Sequence, residues 1–205
     1  MGVTIHYRGK INDVKNVDVL TDEVVDFAQT LGWRSQRWDE DWSQPNTARV
    51  THTEKGIKIE GHAPLRGVTL FPHKESEPLS LTFEPGGYLV HILGMVMIAD
   101  GQLKPEESWM ATKTQFAPIE AHISIIKLLQ HLKKRYISNL EVEDEGGYWQ
   151  TDDANELKRR IDSINRGLDI LEAALSMSQK ELSEAKSPEE LAEMIERIFK
   201  EKLGG

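Results

Sequence analysis

Three residues with acid–base groups lie where they could form a catalytic site. His122 falls on the apolar stripe of a predicted helix, and Asp144 and Glu145 follow a short predicted strand. An imidazole titrates near neutral pH and a carboxylate can orient it, so the three residues are candidates for a general base and its partner. The alternative is a buried histidine whose only role is to satisfy hydrogen bonds in the core.

Further histidines lie in the strand-rich part of the chain and are weak candidates for metal ligands. They are His62, His73 and His91, with Glu75 and Glu77 close to the second of them. Zinc, manganese and iron bind imidazole and carboxylate groups, but no compact motif such as H-E-x-x-H is present. Because Glu75 and Glu77 also suit a solvated turn, we predict no metal and no cofactor.

A third set of polar residues could line a ligand groove. Some fall on the polar side of alternating strands, and the others flank the second predicted helix. The set comprises His6, Arg8, Lys58, Glu60, His62, Lys113, Gln115, Tyr148 and Trp149. An antiparallel sheet often has one solvated face, so solvation explains the strand residues equally well. For Tyr148 and Trp149 the alternative is aromatic packing beside the Gly-Gly turn that precedes them.

The spacing of apolar residues predicts the elements that must position these groups. Residues 3–7 alternate as a strand does, and a helix is predicted over 21–31 with Thr21 as its N-cap. Residues 100–117 are predicted to form a long loop, and Pro118 opens a second helix that ends near residue 136. Further strands are predicted at 34–42, 49–54, 57–63, 68–71, 79–84, 88–98 and 140–142.

This order of elements indicates an α+β fold, built mainly on an antiparallel sheet with two helices packed on one face. Runs of adjacent strands separated by short Gly and Pro turns favour antiparallel pairing. The element order is similar to that of TATA-binding-protein-like and helix-grip folds, which implies one sheet with both helices on the same side. Function depends on the site and not on the fold, so this resemblance implies no activity.

The last part of the chain, 151–205, differs from the α+β body at 1–150. All tryptophans, tyrosines and histidines lie before it. Steps of four and three separate most of its apolar residues, which are Leu157, Ile161, Ile164, Leu168, Leu171, Leu175, Leu182, Leu191, Ile195 and Ile198. This heptad-like pattern predicts a long helix and a short terminal helix capped by Ser187. The stripe favours self-association through 157–198, or a helical pair folded back on its own domain.

Composition narrows the classes of function. The chain has 205 residues, a formal net charge of −9 and no cysteine. The lack of cysteine excludes disulfides, thiolate zinc sites and a cysteine nucleophile, and it suits the cytoplasm. The acidic balance disfavours nucleic acid, which needs clustered positive charge. The longest uncharged apolar run, Tyr88 to Ala99, is too short to span a bilayer, so no membrane partner is expected.

The sequence contains no motif that names a reaction. Walker A, G-x-G-x-x-G and G-x-S-x-G patterns are all absent. We therefore predict a non-catalytic binding or regulatory module that recognises a small molecule or a protein and self-associates through its C-terminal helices. The alternative is a hydrolase-like enzyme that uses histidine, aspartate and glutamate, with or without a metal.

Overall fold

A computed structural model describes residues 3–53 and 56–177 and five later positions, which are Ser187, Glu190, Glu193, Met194 and Arg197. Internal contacts divide the chain into two compact units, a body from Gly2 to Ala154 and a tail that begins at Asn155. All the described strands belong to the body.

Strands and helices alternate along the body. The described strands are β1 (Thr4–Arg8), β2 (Arg34–Asp39), β3 (Arg49–Thr53), β4 (Gly56–Glu60), β5 (Arg66–Phe71), β6 (Leu79–Phe83), β7 (Met110–Lys113) and β8 (Glu141–Asp144). The described α-helices are α1 (Val17–Thr30), α2 (Ile92–Ala99), α3 (Ile119–Arg135), α4 (Tyr148–Thr151) and α5 (Ala154–Met177). Short 3₁₀ turns precede α1 at Val14–Asn16 and β7 at Pro105–Glu107.

The described strands form three antiparallel sheets. β1 lies between β7 and β8, with Ile5 opposite Thr112 on one side and Asp144 on the other. β5 lies between β2 and β6, and β3 pairs with β4. The predicted α+β class with antiparallel strands is confirmed. The prediction of a single sheet is wrong, and the TATA-binding-protein-like or helix-grip order is not confirmed.

Side-chain hydrogen bonds connect the two larger sheets. The Tyr7 hydroxyl donates to Ser80 O at 2.8 Å and accepts from Ser80 N at 3.1 Å. Thr112 Oγ1 donates to Pro78 O at 3.0 Å. Burial raises the pKa of Tyr7, so its hydroxyl keeps the donated proton. Alternation of apolar and polar residues along a strand shows which side chains face the core, but it does not show where one sheet ends and the next begins. The division of the strands into separate sheets could therefore not be predicted from the sequence.

Helix α1 begins earlier than predicted, at Val17. Thr21, the predicted N-cap, lies inside the helix and donates its hydroxyl to Val17 O at 2.7 Å. Threonine suits both roles because its hydroxyl can bond either a free N–H at a cap or a carbonyl one turn back. The buried face of α1, which includes Val24 and Ala28, packs towards β5 and β2. Gly32 follows the C-cap Leu31 and has φ of 70°, the left-handed conformation that glycine commonly adopts after a helix.

The predicted strand at 88–98 is wrong, because most of this segment forms α2. Nearly every residue in it is apolar, so the periods of a strand and of a helix fit equally well. His91 begins the helix with an extended backbone, and its Nδ1 accepts from Leu93 N at 3.3 Å. Met95 and Val96 are buried in a core cluster with residues from the β3–β5 region.

The predicted loop at 100–117 is also wrong in part, since it contains β7. β7 has only four residues, which is too short for alternation to stand out. The helix that follows Pro118 and the strand near Leu140 are confirmed as α3 and β8. Within the described residues, the structure has no helix with both the length and the apolar character needed to cross a membrane.

Most of α5 belongs to the tail. Leu157 and Ile161 are buried, whereas Leu168 is exposed. Glu190 N donates to Ser187 Oγ at 3.1 Å, which is the bond that the predicted N-cap makes. Ile164 is half-buried. The other heptad positions lie outside the described residues or have side chains that do, namely Leu171, Leu175, Leu182, Leu191, Ile195 and Ile198.

Candidate functional site

Two of the three acid–base candidates meet in the body. His122, near the start of α3, lies between Thr114 and Asp144. Its Nδ1 is 2.7 Å from Thr114 Oγ1, and its Nε2 is 3.2 Å from Asp144 Oδ1. The contact with Asp144 has the distance of an ion pair but not the alignment of a hydrogen bond. With the proton on Nε2, Nδ1 would accept from the Thr114 hydroxyl.

The Asp144 carboxylate closes the turn after β8. Oδ1 accepts from Gly146 N at 2.7 Å, and Oδ2 accepts from Trp149 N at 2.9 Å. Burial alone would raise the pKa of Asp144, but His122 and these two N–H groups outweigh it and hold the pKa below its ordinary value. Asp144 is therefore ionised at neutral pH, and its charge is balanced by fixed donors.

Glu145 does not join the His122 cluster. Its Oε2 accepts from Thr4 N at 2.8 Å, and its Oε1 lies 3.9 Å from His6 Nε2. Glu145 therefore fixes the start of β1 against the end of β8. Of the two predicted carboxylates, only that of Asp144 is placed to orient His122.

A hydroxyl, an imidazole and a carboxylate in this order form the catalytic triad of many acyl-transfer enzymes. Here, however, Thr114, His122 and Asp144 are all buried. Thr114 Oγ1 also lies 3.3 Å from Val3 O, so its single proton can be donated either to that carbonyl or to His122 Nδ1. A buried hydroxyl cannot meet a substrate unless the body opens, so the cluster as it stands joins β7, α3 and β8.

The predicted ligand-binding residues on strands do not share one surface. His6 and Arg8 lie on β1, where Arg8 Nη2 is 2.7 Å from Glu141 Oε2 on β8. Lys58 and Glu60 lie on the β3–β4 hairpin and pair with each other at 3.2 Å. The Arg8–Glu141 and Lys58–Glu60 pairs lie at the surface of different sheets, and such pairs stabilise a fold only slightly.

The predicted ligand-binding residues near α3 are also dispersed. Gln115 is buried, and Lys113 is the last residue of β7. The rings of Tyr148 and Trp149 each face a lysine ammonium of α3, at 5.4 Å and 5.9 Å from the ring centroid. These contacts fit aromatic packing beside a turn, which was the alternative interpretation.

The three histidines suggested as metal ligands have different neighbours. His62 Nε2 lies 2.9 Å from Asp41 O, and His73 Nδ1 lies 3.7 Å from Glu75 Oε2. His91 caps α2. Over the described ranges, the structure brings no three His, Cys, Asp or Glu side chains together as metal ligands.

A groove of about 640 Å³ opens between α2 and β7. Its wall on the helix side comprises Leu93, Gly94 and Met97, and its wall on the strand side comprises Met110 and Ala111. The remaining lining residues are Glu77, Pro78, Ser80, His91, Leu103, Glu107, Ser108 and Trp109. Grooves that bind small ligands have volumes of about 300–1,000 Å³, and this one lies within that range.

The groove exposes large apolar side chains. Leu93 is 49% exposed, Met97 is 42% exposed and Trp109 is 37% exposed. The opposite face of α2, with Met95 and Val96, is buried. One face of α2 therefore packs in the core while the other presents an apolar surface to solvent, which is a mark of interaction sites.

Arg8 and Trp109 separate this groove from a smaller cavity. The Arg8 guanidinium lies 4.5 Å from the centroid of the Trp109 ring. The second cavity measures about 290 Å³, and Ser108 lines both cavities. The cation–π contact holds the indole at the boundary between them.

Sequence reasoning missed the groove because it assigned α2 to a strand and β7 to a loop. Of the lining residues, His91 and Glu77 had been named in the sequence, and both were suggested as weak candidates for metal ligands. The available signal is the four-residue spacing of Leu93 and Met97, which places them on one face of a helix. The chain matches no protein-family model, and no curated protein or solved structure is significantly similar to it.

Proposed function

We propose that the protein is a non-catalytic binding module and that its ligand occupies the groove between α2 and β7. The observation that carries this proposal is the exposure of Leu93, Met97 and Trp109 around one concave surface. Exposed apolar side chains gain free energy when a ligand removes them from water, at about 25 cal/mol per Å² of apolar area. The buried state of the His122 cluster supports binding rather than catalysis.

Methionine methyl groups offer a direct test of this proposal. The chain has six methionines, and Met97 and Met110 line the groove while Met95 is buried in the core. We would label the methionine methyl groups with ¹³C and titrate the full chain with N-acetyl-leucinamide and N-acetyl-tryptophanamide. We expect saturable shifts at Met97 and Met110 and smaller shifts at Met95, since only the first two contact the groove.

A variant that disrupts the groove replaces the two exposed apolar residues of α2. Leu93→Ser with Met97→Ser keeps the buried face of α2 and removes apolar surface from the groove, so the shift at Met110 should vanish. Equal shifts at Met110 in the wild type and the variant would contradict the proposal. So would the absence of any saturable shift in the wild type.

The second candidate function is a hydrolase-like enzyme, and the Thr114–His122–Asp144 order is the observation that favours it. A fluorophosphonate probe reacts with an activated hydroxyl and adds a defined mass to the protein. The binding proposal predicts no adduct, because Thr114 is buried. An adduct that forms on the wild type and is lost in Thr114→Val would instead support the enzyme.

Self-association through 157–198 belongs to the same proposal. Leu168 is exposed on the heptad stripe, where a second copy could cover it. Light scattering should give the mass of a dimer for the wild type and of a monomer for Leu168→Lys; a wild-type monomer would contradict this part. We also propose a cytoplasmic location, because the chain lacks cysteine. We propose no nucleic-acid partner, because the net charge is −9, and no membrane partner, because the longest uncharged apolar run is too short to span a bilayer.

A further inference from the structure

The edge of β7 that faces away from β1 can be assigned from its hydrogen bonds. Lys113 N donates to Glu77 Oε2 at 2.9 Å, and Lys113 O accepts from Glu77 N at 2.8 Å. Thr4, the residue opposite Lys113 on β1, bonds through its own N and O to Glu145. Thr4 and Lys113 are therefore a pair whose main-chain groups point away from each other.

Ala111 has the same orientation as Lys113. Bonded and non-bonded pairs alternate along an antiparallel ladder, and Ala111 stands opposite His6, two positions along from Lys113. The N–H and C=O of Ala111 therefore point away from β1. Ala111 is exposed and lines the groove, and within the described part of the chain neither group has a hydrogen-bond partner.

The other strand edge at the groove is already occupied. Ser80 on β6 also lines the groove, but both of its main-chain groups bond to the Tyr7 hydroxyl. The helix wall offers Leu93 and Met97 instead of polar groups. The groove thus presents a free main-chain donor and acceptor on one side and apolar side chains on the other. An extended peptide fits both, since it pairs through its main chain and directs alternate side chains towards the helix.

The charge of the groove favours a basic ligand. Glu77 and Glu107 are acidic, and the described lining residues include no lysine or arginine. Burial lowers the pKa of His91, so this imidazole adds no positive charge at neutral pH. The chain as a whole has a net charge of −9. Opposite charges guide association and like charges oppose it, so a basic peptide is preferred to an acidic one.

We infer that β7 binds an extended, basic peptide segment of a partner protein as an additional strand, with apolar side chains of the peptide against Leu93 and Met97. Ala111 supplies the main-chain hydrogen bonds, and Glu77 and Glu107 supply the favourable charge. This inference rests on the proposed binding function, since it names the ligand class of the same groove.

Synthetic peptides test the inference on the full chain. The probe is an acetylated and amidated peptide of about six residues that alternates lysine with leucine, a length typical of strands. One matched peptide has glutamate in place of lysine, and another has N-methyl groups on alternate main-chain amides. We expect the lysine peptide to shift Met97 and Met110 and to bind about tenfold more tightly than the methylated peptide, the ratio expected for one net hydrogen bond. We also expect it to bind more tightly than the glutamate peptide, because like charges oppose association.

Two substitutions at one position separate main-chain pairing from simple charge attraction. Ala111→Pro removes the N–H that points into the groove, and it leaves the ladder with β1 intact because that N–H faces away from β1. Ala111→Val keeps the N–H and favours a strand. Both variants add side-chain atoms at the same position, so we expect the lysine peptide to bind Ala111→Pro roughly tenfold more weakly than it binds Ala111→Val. The Met95 signal reports whether each variant is folded.

Each outcome decides between the two proposals. Equal binding of the lysine and glutamate peptides would overturn the preference for a basic ligand. Equal binding of the methylated and unmethylated peptides would overturn strand addition. If Ala111→Pro is not folded, the methylated peptide gives the same information on the wild type. Shifts at Met97 with the uncharged amides, but none with the lysine peptide, would support the groove and refute the inference. No shift with any probe would remove both.

Discussion

Replacing Asp144 tests whether the buried cluster stabilises the fold. The carboxylate is the acceptor for Gly146 N at 2.7 Å and for Trp149 N at 2.9 Å, and it lies 3.2 Å from His122 Nε2. Asp144→Ala removes both hydrogen bonds and the contact with His122, and it leaves the two N–H groups without their acceptor. Asp144→Asn is the matched control, because its side-chain oxygen can still accept one N–H.

The size of the effect follows from the burial of these groups. A hydrogen bond to a charged group contributes about 1.5–3 kcal/mol, and Asp144 accepts two such bonds from main-chain N–H groups. The two contributions overlap, so we expect Asp144→Ala to lower the free energy of unfolding by about 4 kcal/mol. Asp144→Asn keeps the shape and one acceptor, and we expect a loss of about 2 kcal/mol.

Urea unfolding of the wild type and both variants at neutral pH measures these losses. A loss below about 1 kcal/mol for Asp144→Ala would refute the reasoning, because the N–H groups would then have other acceptors. Acidification gives a second test. The pKa of Asp144 in the fold lies below 3.8, so its stabilisation is complete above that pH and disappears as the pH falls through the folded value. The difference between the wild type and Asp144→Asn should therefore shrink in strong acid.

Three further substitutions, the last with a matched control, test other parts of the body. Burial lowers the pKa of His91 below 6.5, so the unfolded chain binds the proton more readily and the fold loses stability as the pH falls below that value. We expect His91→Asn, which keeps an N-cap acceptor, to lose less stability between neutral pH and pH ~5 in urea unfolding. Tyr7→Phe removes the hydroxyl that bonds Ser80 N and O, and we expect thermal unfolding to show a loss of about 2–3 kcal/mol; an unchanged midpoint would contradict this. Gly61 has φ of 84°, and an added Cβ would lie 2.1 Å from Thr47 O. We expect Gly61→Ala to cost at least about 1–2 kcal/mol, whereas Gly101→Ala, where nothing lies within 4 Å of the Cβ, should cost less.

The sequence predicted a helix or strand correctly where its apolar residues followed only the helical or only the strand spacing. The stripe of α3 and the alternation of β1 left a single choice, and both elements are present. For α2 the sequence did not distinguish a helix from a strand, because Leu93, Met97 and most of the residues between them are apolar. What distinguished the helix was His91, whose side chain caps it. A histidine is not among the preferred N-cap residues, so this signal is weak in a sequence.

The candidate site was harder to predict than the elements. The contact between His122 and Asp144 joins residues far apart in the sequence, and it was anticipated because both residues can take part in acid–base chemistry. The groove depends instead on two strands that lie near each other in the fold, β6 at Ser80 and β7 at Ala111. A short strand with one alanine carries no chemical signal, since its main chain and not its side chain forms the surface.

The position of β1 in its sheet has a consequence for synthesis. β1 is the central strand, but β7 and β8 lie more than a hundred residues later, and Thr4 bonds to a residue 141 positions away. A ribosome adds about 5–20 residues per second, so β1 leaves the ribosome on the order of ten seconds before both partners exist. During that time its apolar side chains and both of its edges are open to other chains. Nascent chains that end before residue 141 should therefore bind chaperones, and those that extend well beyond residue 144 should not.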